Sequence, residues 1–120
     1  MCSDYVASMN WPSFDLSLSL FSALPEFFYI AMNLTLDVHE NGALQCGLVQ
    51  TEGPVNFTWH FNGRPLPLNN RLSVISNLET KLSTLQLSDV TYAESGNYEC
   101  IASNSAGSVR QLHVVTVQGE

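Results

Sequence analysis

Basic side chains are the scarcest feature of this chain: 4 lysines and arginines stand against 11 aspartates and glutamates, and none of the four precedes Arg64. No cationic patch can form to neutralise phosphates or anionic headgroups, which excludes nucleic-acid binding and adsorption to a membrane surface. Charge of either sign is sparse, at 12% of residues beside 45% hydrophobic ones. That balance fits neither a disordered chain nor a charge-laced helix bundle. Cysteine is scarce too, with only Cys2, Cys46 and Cys100. Three are too few for a scaffold of many staples, and they lack the close pairs of a zinc site. One long-range bridge and one leftover thiol is the simplest account.

Long apolar runs are missing as well. The stretch "LSLSLFSALPEFFYIAM" is dotted with serines and broken by Pro25 and Glu26, short of the roughly 18 to 20 apolar residues of a membrane span. Direct membrane insertion by this chain is therefore not expected. No window of ten residues carries a capped helical repeat, and no internal repeat is present. Serines and acids are plentiful, yet none sits in a nucleophile elbow, and no glycine-rich phosphate loop follows a strand. Catalysis is not expected, and neither is a cofactor. His39, His60 and His113 fall on one turn and two strands, so they read as surface or partly buried imidazoles and not as metal ligands.

What remains is alternation. At 120 residues the chain suits one domain with a core of its own. Residues 1–24 are poorly patterned: Leu16, Leu18, Leu20, Phe21, Ala23 and Leu24 resemble the apolar region of a secretory leader, but the positive n-region is missing. The same Leu/Ser alternation equally suits a short amphipathic strand. From Asn33 the pattern turns to β. "NLTLDV" places Leu34, Leu36 and Val38 on one face, and "ALQCGLV", "VNFTWHF", "RLSVIS", "KLSTLQL", "NYECIAS" and "SVRQLHVVTV" follow between turn signals such as Asn62-Gly63. Seven or eight short strands at such spacing predict an all-β sandwich or barrel.

Four residues narrow the choice. Cys46, Trp59, Tyr98 and Cys100 come in that order, with Tyr98 two places before the second cysteine. This order resembles the immunoglobulin superfamily. The run "ESGNYECIASNSAG" resembles the superfamily's I-set through Glu94, Gly96, Tyr98, Cys100, Ala102, Asn104 and Gly107, and "LQLSDV" resembles its Leu-x-Leu-x-x-Val element. Glu94 stands where aspartate is commoner, and "FFYIAMN" (27–33) is unusually apolar for an opening strand. The resemblance covers about residues 25–118 and implies a two-sheet Greek-key sandwich. It further implies a Cys46–Cys100 bridge between the sheets, Trp59 packed on that bridge, Tyr98 hydrogen-bonded at a corner and Leu85 in the core. "WHFNGRPLP" and "NYECIASNSAGS" are similar to domains of Dscam-type neural adhesion receptors.

Two triplets add to this. Asn33-Leu34-Thr35 and Asn56-Phe57-Thr58 are N-glycosylation acceptors, and alternation turns each asparagine outward with its threonine while Leu34 and Phe57 turn in. The expected location is extracellular or at a cell surface. The expected function is protein binding, homophilic adhesion to the same molecule on an apposed cell or contact with another immunoglobulin-type ectodomain. An intracellular structural spacer with reduced cysteines and a secreted immune recognition module are the alternatives. For the contact itself, Arg71, Ser73, Leu82, Thr84 and Gln86 form a candidate self-complementary patch on the sheet of the first, second, fifth and fourth strands. Leu82 fits neither face cleanly and is expected to be exposed. In the fourth strand either Leu72 and Val74 or Ser73 and Ile75 point out.

Overall fold

Alternation becomes two facing sheets in a computed structural model that describes residues 24–49, 53–67 and 69–119. Cys2 and the rest of the expected segment 1–24, Leu24 excepted, lie outside the described residues. The strands are β1 (Asn33–Asp37), β2 (Gly42–Gly47), β3 (Asn56–Phe61), β4 (Arg64–Pro65), β5 (Leu72–Asn77), β6 (Leu82–Leu87), β7 (Gly96–Asn104) and β8 (Gly107–Gln118). A 3-10 turn, Tyr92–Glu94, precedes β7. One sheet runs β1-β8-β7-β3-β4 and the other β2-β6-β5. The fold is an immunoglobulin sandwich.

The core lies where inward parity from both sheets meets. Leu36, Leu44, Cys46, Trp59, Leu72, Leu85, Leu87, Val90, Tyr98, Cys100, Val115 and Val117 form one buried cluster. Cys46 on β2 is bridged to Cys100 on β7, with Cα atoms 6.4 Å apart, so the bond crosses from sheet to sheet. In the chain-entropy account a closed loop of this length stabilises the fold by about 4 kcal/mol. Trp59 pairs with Cys100 across β3 and β7, and its indole N–H donates to the buried Ser83 Oγ at 2.9 Å. Ser83 in turn shares a 2.7 Å hydrogen bond with Ser76. A buried indole N–H left without an acceptor would cost about 1 to 3 kcal/mol, so Ser83 is what lets tryptophan occupy the centre.

Each turn has its own chemistry. Asn62 and Gly63 both take positive φ, 51° and 80°, the pairing a two-residue hairpin demands, and the Asn62 Oδ1 also accepts from the Asn97 amide at 2.9 Å. Before β7 the Glu94 carboxylate accepts from the Thr91 amide (2.6 Å) and hydroxyl (2.7 Å), closing a capping box. That box fixes the Glu94 carbonyl, which receives the Tyr98 hydroxyl at 2.6 Å. Burial pushes the Tyr98 phenol far above its ordinary value, so it stays a donor.

The opening of the chain differs from expectation. A four-stranded sheet including the first strand was expected; instead Phe27 forms a single antiparallel bridge to Leu48 at the edge of β2, and the chain then leaves that sheet. β1 runs parallel to β8, from Asn33 beside Val114 to Asp37 beside Gln118. Residues 28–32 form the crossing. Tyr29 lays its ring over Gly47, where a Cβ would stand 2.7 Å from the ring, so only glycine permits the crossing. The Tyr29 carbonyl accepts from the Gln111 side chain at 2.7 Å, and the Met32 amide donates to Nδ1 of His113 at 2.9 Å.

His113 is therefore not a surface group. It is wholly buried, stacked on Trp59 with ring centres 5.8 Å apart. An amide can only donate, so Nδ1 carries no proton and the imidazole is neutral, its proton on an Nε2 that has no partner. Burial holds its affinity for a second proton below the ordinary value. Among the described residues no group of three or more His, Cys, Asp or Glu could hold a metal ion, and His60 and His113 stand on opposite faces of their sheet.

Candidate interaction surfaces

With the core committed to packing, any partner must meet an outer face. On the five-stranded sheet the registers define that face. Asn56 lies beside Ser103 and Ser108, Thr58 beside Ile101 and Arg110, and His60 beside Glu99 and Leu112; Asn33 lies beside Val114 and Asn97. Both triplets thus stand on the same sheet, and Asn33, Thr35, Asn56 and Thr58 are all exposed. They occupy diagonal corners, three strands and six residues apart, a separation of roughly 25 Å by strand geometry. Between them Leu112 is 48% exposed, and Arg110 pairs with Glu99 at 3.1 Å.

The three-stranded sheet presents a different face. Its rows are Ala43, Gln86 and Ser73; then Gln45, Thr84 and Ile75; then Gly47, Leu82 and Asn77. No member is charged. Of the expected patch, Ser73 and Gln86 lie exposed in one row, with Ser73 Oγ 3.4 Å from Gln86 Oε1, and Thr84 is half-buried in the next. The remaining two members stand differently. Arg71 precedes β5 and turns to the end of the sandwich, where Nη1 donates to the Asp89 carbonyl (2.7 Å) and carboxylate (3.2 Å). Asp89 also meets His39 at 2.7 Å; His39 first, then Arg71, holds its carboxyl below the usual range.

Leu82 does point outward as its parity requires, but it is half-buried: the crossing segment folds over Gly47, and Phe28, Tyr29 and Leu82 line one shallow groove. Expected exposure at Leu82 is thus corrected. The large exposed apolar residue of these rows is Ile75, at 59%, since Ser73 and Ile75 are the outward pair of β5. The register with Leu85 and Leu87 would have settled that choice. A second apolar surface, Phe28 at 68% and Ile30 at 83% exposed, sits on the crossing itself. Its only signal in the sequence was the unusual apolarity of 27–33.

The profile of the immunoglobulin domain family matches residues 25–104. The chain belongs to that family. Among its relatives this immunoglobulin domain is 35% identical over 75 residues to the cell adhesion molecule DSCAM of Rattus norvegicus, covering 62% of this chain and 4% of that protein. It is 29% identical over 105 residues to the cell adhesion molecule Dscam2 of Drosophila melanogaster, covering 85% of this chain and 5% of that protein. The chain thus spans a small fraction of the length of its curated relatives. Among solved structures, the Dscam1 Ig7 domain superposes with a TM-score of 0.68 at 25% identity, covering 78% of this chain and 96% of that one. The titin M3 domain gives a TM-score of 0.70 at 22% identity, covering 79% and 97%, a likeness of fold alone.

Proposed function

We propose that this immunoglobulin domain is an I-set module of an extracellular adhesion or recognition receptor, acting by protein binding and not by catalysis, and that it contacts a second copy of itself. The observation that carries the reading is the division between the two faces. Both glycosylation triplets stand on the five-stranded sheet, whereas the three-stranded sheet offers an uncharged surface around Ile75, Thr84, Gln45, Ser73 and Gln86. A chain of net charge −7 repels its own copy over most of its surface, so an uncharged face is where two copies meet at least electrostatic cost. Similarity to adhesion molecules supports the same reading.

Sugar is the deciding test. Material secreted from a eukaryotic cell should lose mass on peptide-N-glycosidase treatment, with Asn33→Gln and Asn56→Gln each removing one glycan. An unchanged mass, together with free thiols on Cys46 and Cys100, would instead support the intracellular spacer reading. We further propose that residues 1–24 are a leader or an extra, irregular N-terminal segment. Sequencing the mature N-terminus separates these, since a leader predicts a start near Pro25.

A further inference from the structure

β5 is the outermost strand of its sheet, and among the described residues nothing pairs with its free edge. Natural edges are usually blunted by lysine, proline or a bulge. β5 has none of these: its sequence is LSVISN, its register with β6 is unbroken, and every residue after Leu72 is exposed. The Ser88 amide donates to the Arg71 carbonyl at 2.8 Å, which sets the parity of that register. Odd-numbered residues of β5 therefore bond to β6, and the backbone groups of Val74 and Ser76 face solvent.

We propose that β5 pairs antiparallel with β5 of a second copy across a two-fold axis at Ile75, joining two three-stranded sheets into one continuous sheet. This pairing rests on the self-adhesive reading above and specifies its geometry. Outward-facing backbone must oppose outward-facing backbone, so the axis passes through a residue and not between two, and keeping the exposed groups of Val74 and Ser76 within the join confines it to Val74, Ile75 or Ser76. An axis at Ser76 would carry Arg71 past the tip of the copy's turn 78–81, and one at Val74 would leave it against Asn77. The axis at Ile75 sets it beside the turn carrying Glu79, an opposite charge. Arg71 has uses for Nη1 alone among the described residues, so Nε and Nη2 are available for that carboxylate. Val74 and Ser76 then exchange roughly four N–H···O bonds with Ser76 and Val74 of the copy. Ile75 meets its own copy as a close, non-hydrogen-bonded pair on the uncharged face. The triplets stand on the other sheet, so their sugars would not obstruct the join. So short a contact is weak in solution and gains strength when many copies face each other on two surfaces.

Sedimentation equilibrium and amide hydrogen exchange on the full chain across a concentration series test the pairing. Dimers should accumulate with concentration, and the Val74 and Ser76 amides should slow about tenfold as they do. Ile75→Lys opposes two like charges on an edge and should raise the dimer dissociation constant at least about tenfold. Leu112→Lys, exposed on the other sheet, should dimerise as the parent does. Monomers at millimolar concentration would overturn the pairing while leaving the glycan test of the adhesive reading untouched. Dimers whose Val74 and Ser76 amides exchange as in the monomer would overturn it as well, moving the contact from the edge to the face.

Discussion

The two sheets of this domain solve the same inward problem and opposite outward ones. Inside, each supplies alternating apolar residues and one half of the Cys46–Cys100 bond. Outside, the five-stranded sheet carries the Arg110–Glu99 pair, His60 and both glycosylation triplets, while the three-stranded sheet carries no charge at all in its central rows. Inward uniformity makes the fold. Outward inequality is what gives the domain a side.

The largest effect comes from cutting the tie between them. Replacing Cys46 and Cys100 together by alanine should lower unfolding free energy by about 4 kcal/mol, read from urea denaturation. For a domain whose whole stability is roughly 5 to 15 kcal/mol, part of the population should then unfold at physiological temperature. A loss below about 1 kcal/mol would mean that Trp59 and its Ser83 partner hold the sheets without the bond.

Protonating His113 should come next. The ring is neutral and buried, its affinity for a second proton lowered by burial, and it faces Trp59 and Tyr98. Above the unfolded value near 6.5 its contribution is fully present. Below that value the unfolded chain binds the proton and the folded chain does not, so stability falls with pH by as much as about 1.4 kcal/mol per unit until the folded value is reached. Protonation of Nδ1 also removes the acceptor for the Met32 amide, so the crossing segment should exchange first. His113→Gln keeps an acceptor without a titrating ring and should flatten the fall in stability that begins below about pH 6.5. Asp89 has a lowered pKa and lies exposed beside His39 and Arg71; what it contributes is present above the ordinary carboxylate value and lost as pH falls through its lowered one, at more acid pH than the onset of the histidine's fall.

Tyr98→Phe should cost about 1 to 2 kcal/mol, measured by the same denaturation, because the Glu94 carbonyl loses its hydroxyl donor in a buried corner. Thr91→Ala should cost less, about 1 kcal/mol, by opening the capping box that holds that carbonyl in place.

Much of this was legible from the sequence because β-structure reports its own parity. The stretch "NFTWHF" shows it: Trp59 is buried, Phe57 and Phe61 are half-buried, and Asn56 and Thr58 are exposed, as alternation requires. The same parity, extended to "HVVTV", puts His113 inside with Val115 and Val117; the residue type, usually a surface one, hid what its position said. The sheet-to-sheet crossing was not legible, since it depends on contacts distant in sequence: the Tyr29 ring over Gly47, the Gln111 amide and the His113 nitrogen. Leu82 followed from the same gap. It points outward with Thr84 and Gln86, as the register shows, but the roof over it belongs to the crossing.

The smallest expected effects on stability distinguish the faces most cleanly. Ile75→Asp and Leu112→Asp each replace an exposed apolar residue at the middle of an outer face, so each should change unfolding free energy by less than about 0.5 kcal/mol. Their effects on association should differ. In the proposed pairing a new carboxylate on the uncharged sheet meets its own copy across the two-fold axis, whereas on the sheet of the two triplets it joins charges already present and meets no copy. Adhesion of beads coated with each variant should fall for Ile75→Asp and persist for Leu112→Asp. The reverse order, with stabilities unchanged, would mean that the partner reads the strip around Leu112 between the two triplets, and that the uncharged face is packed against something other than a second copy.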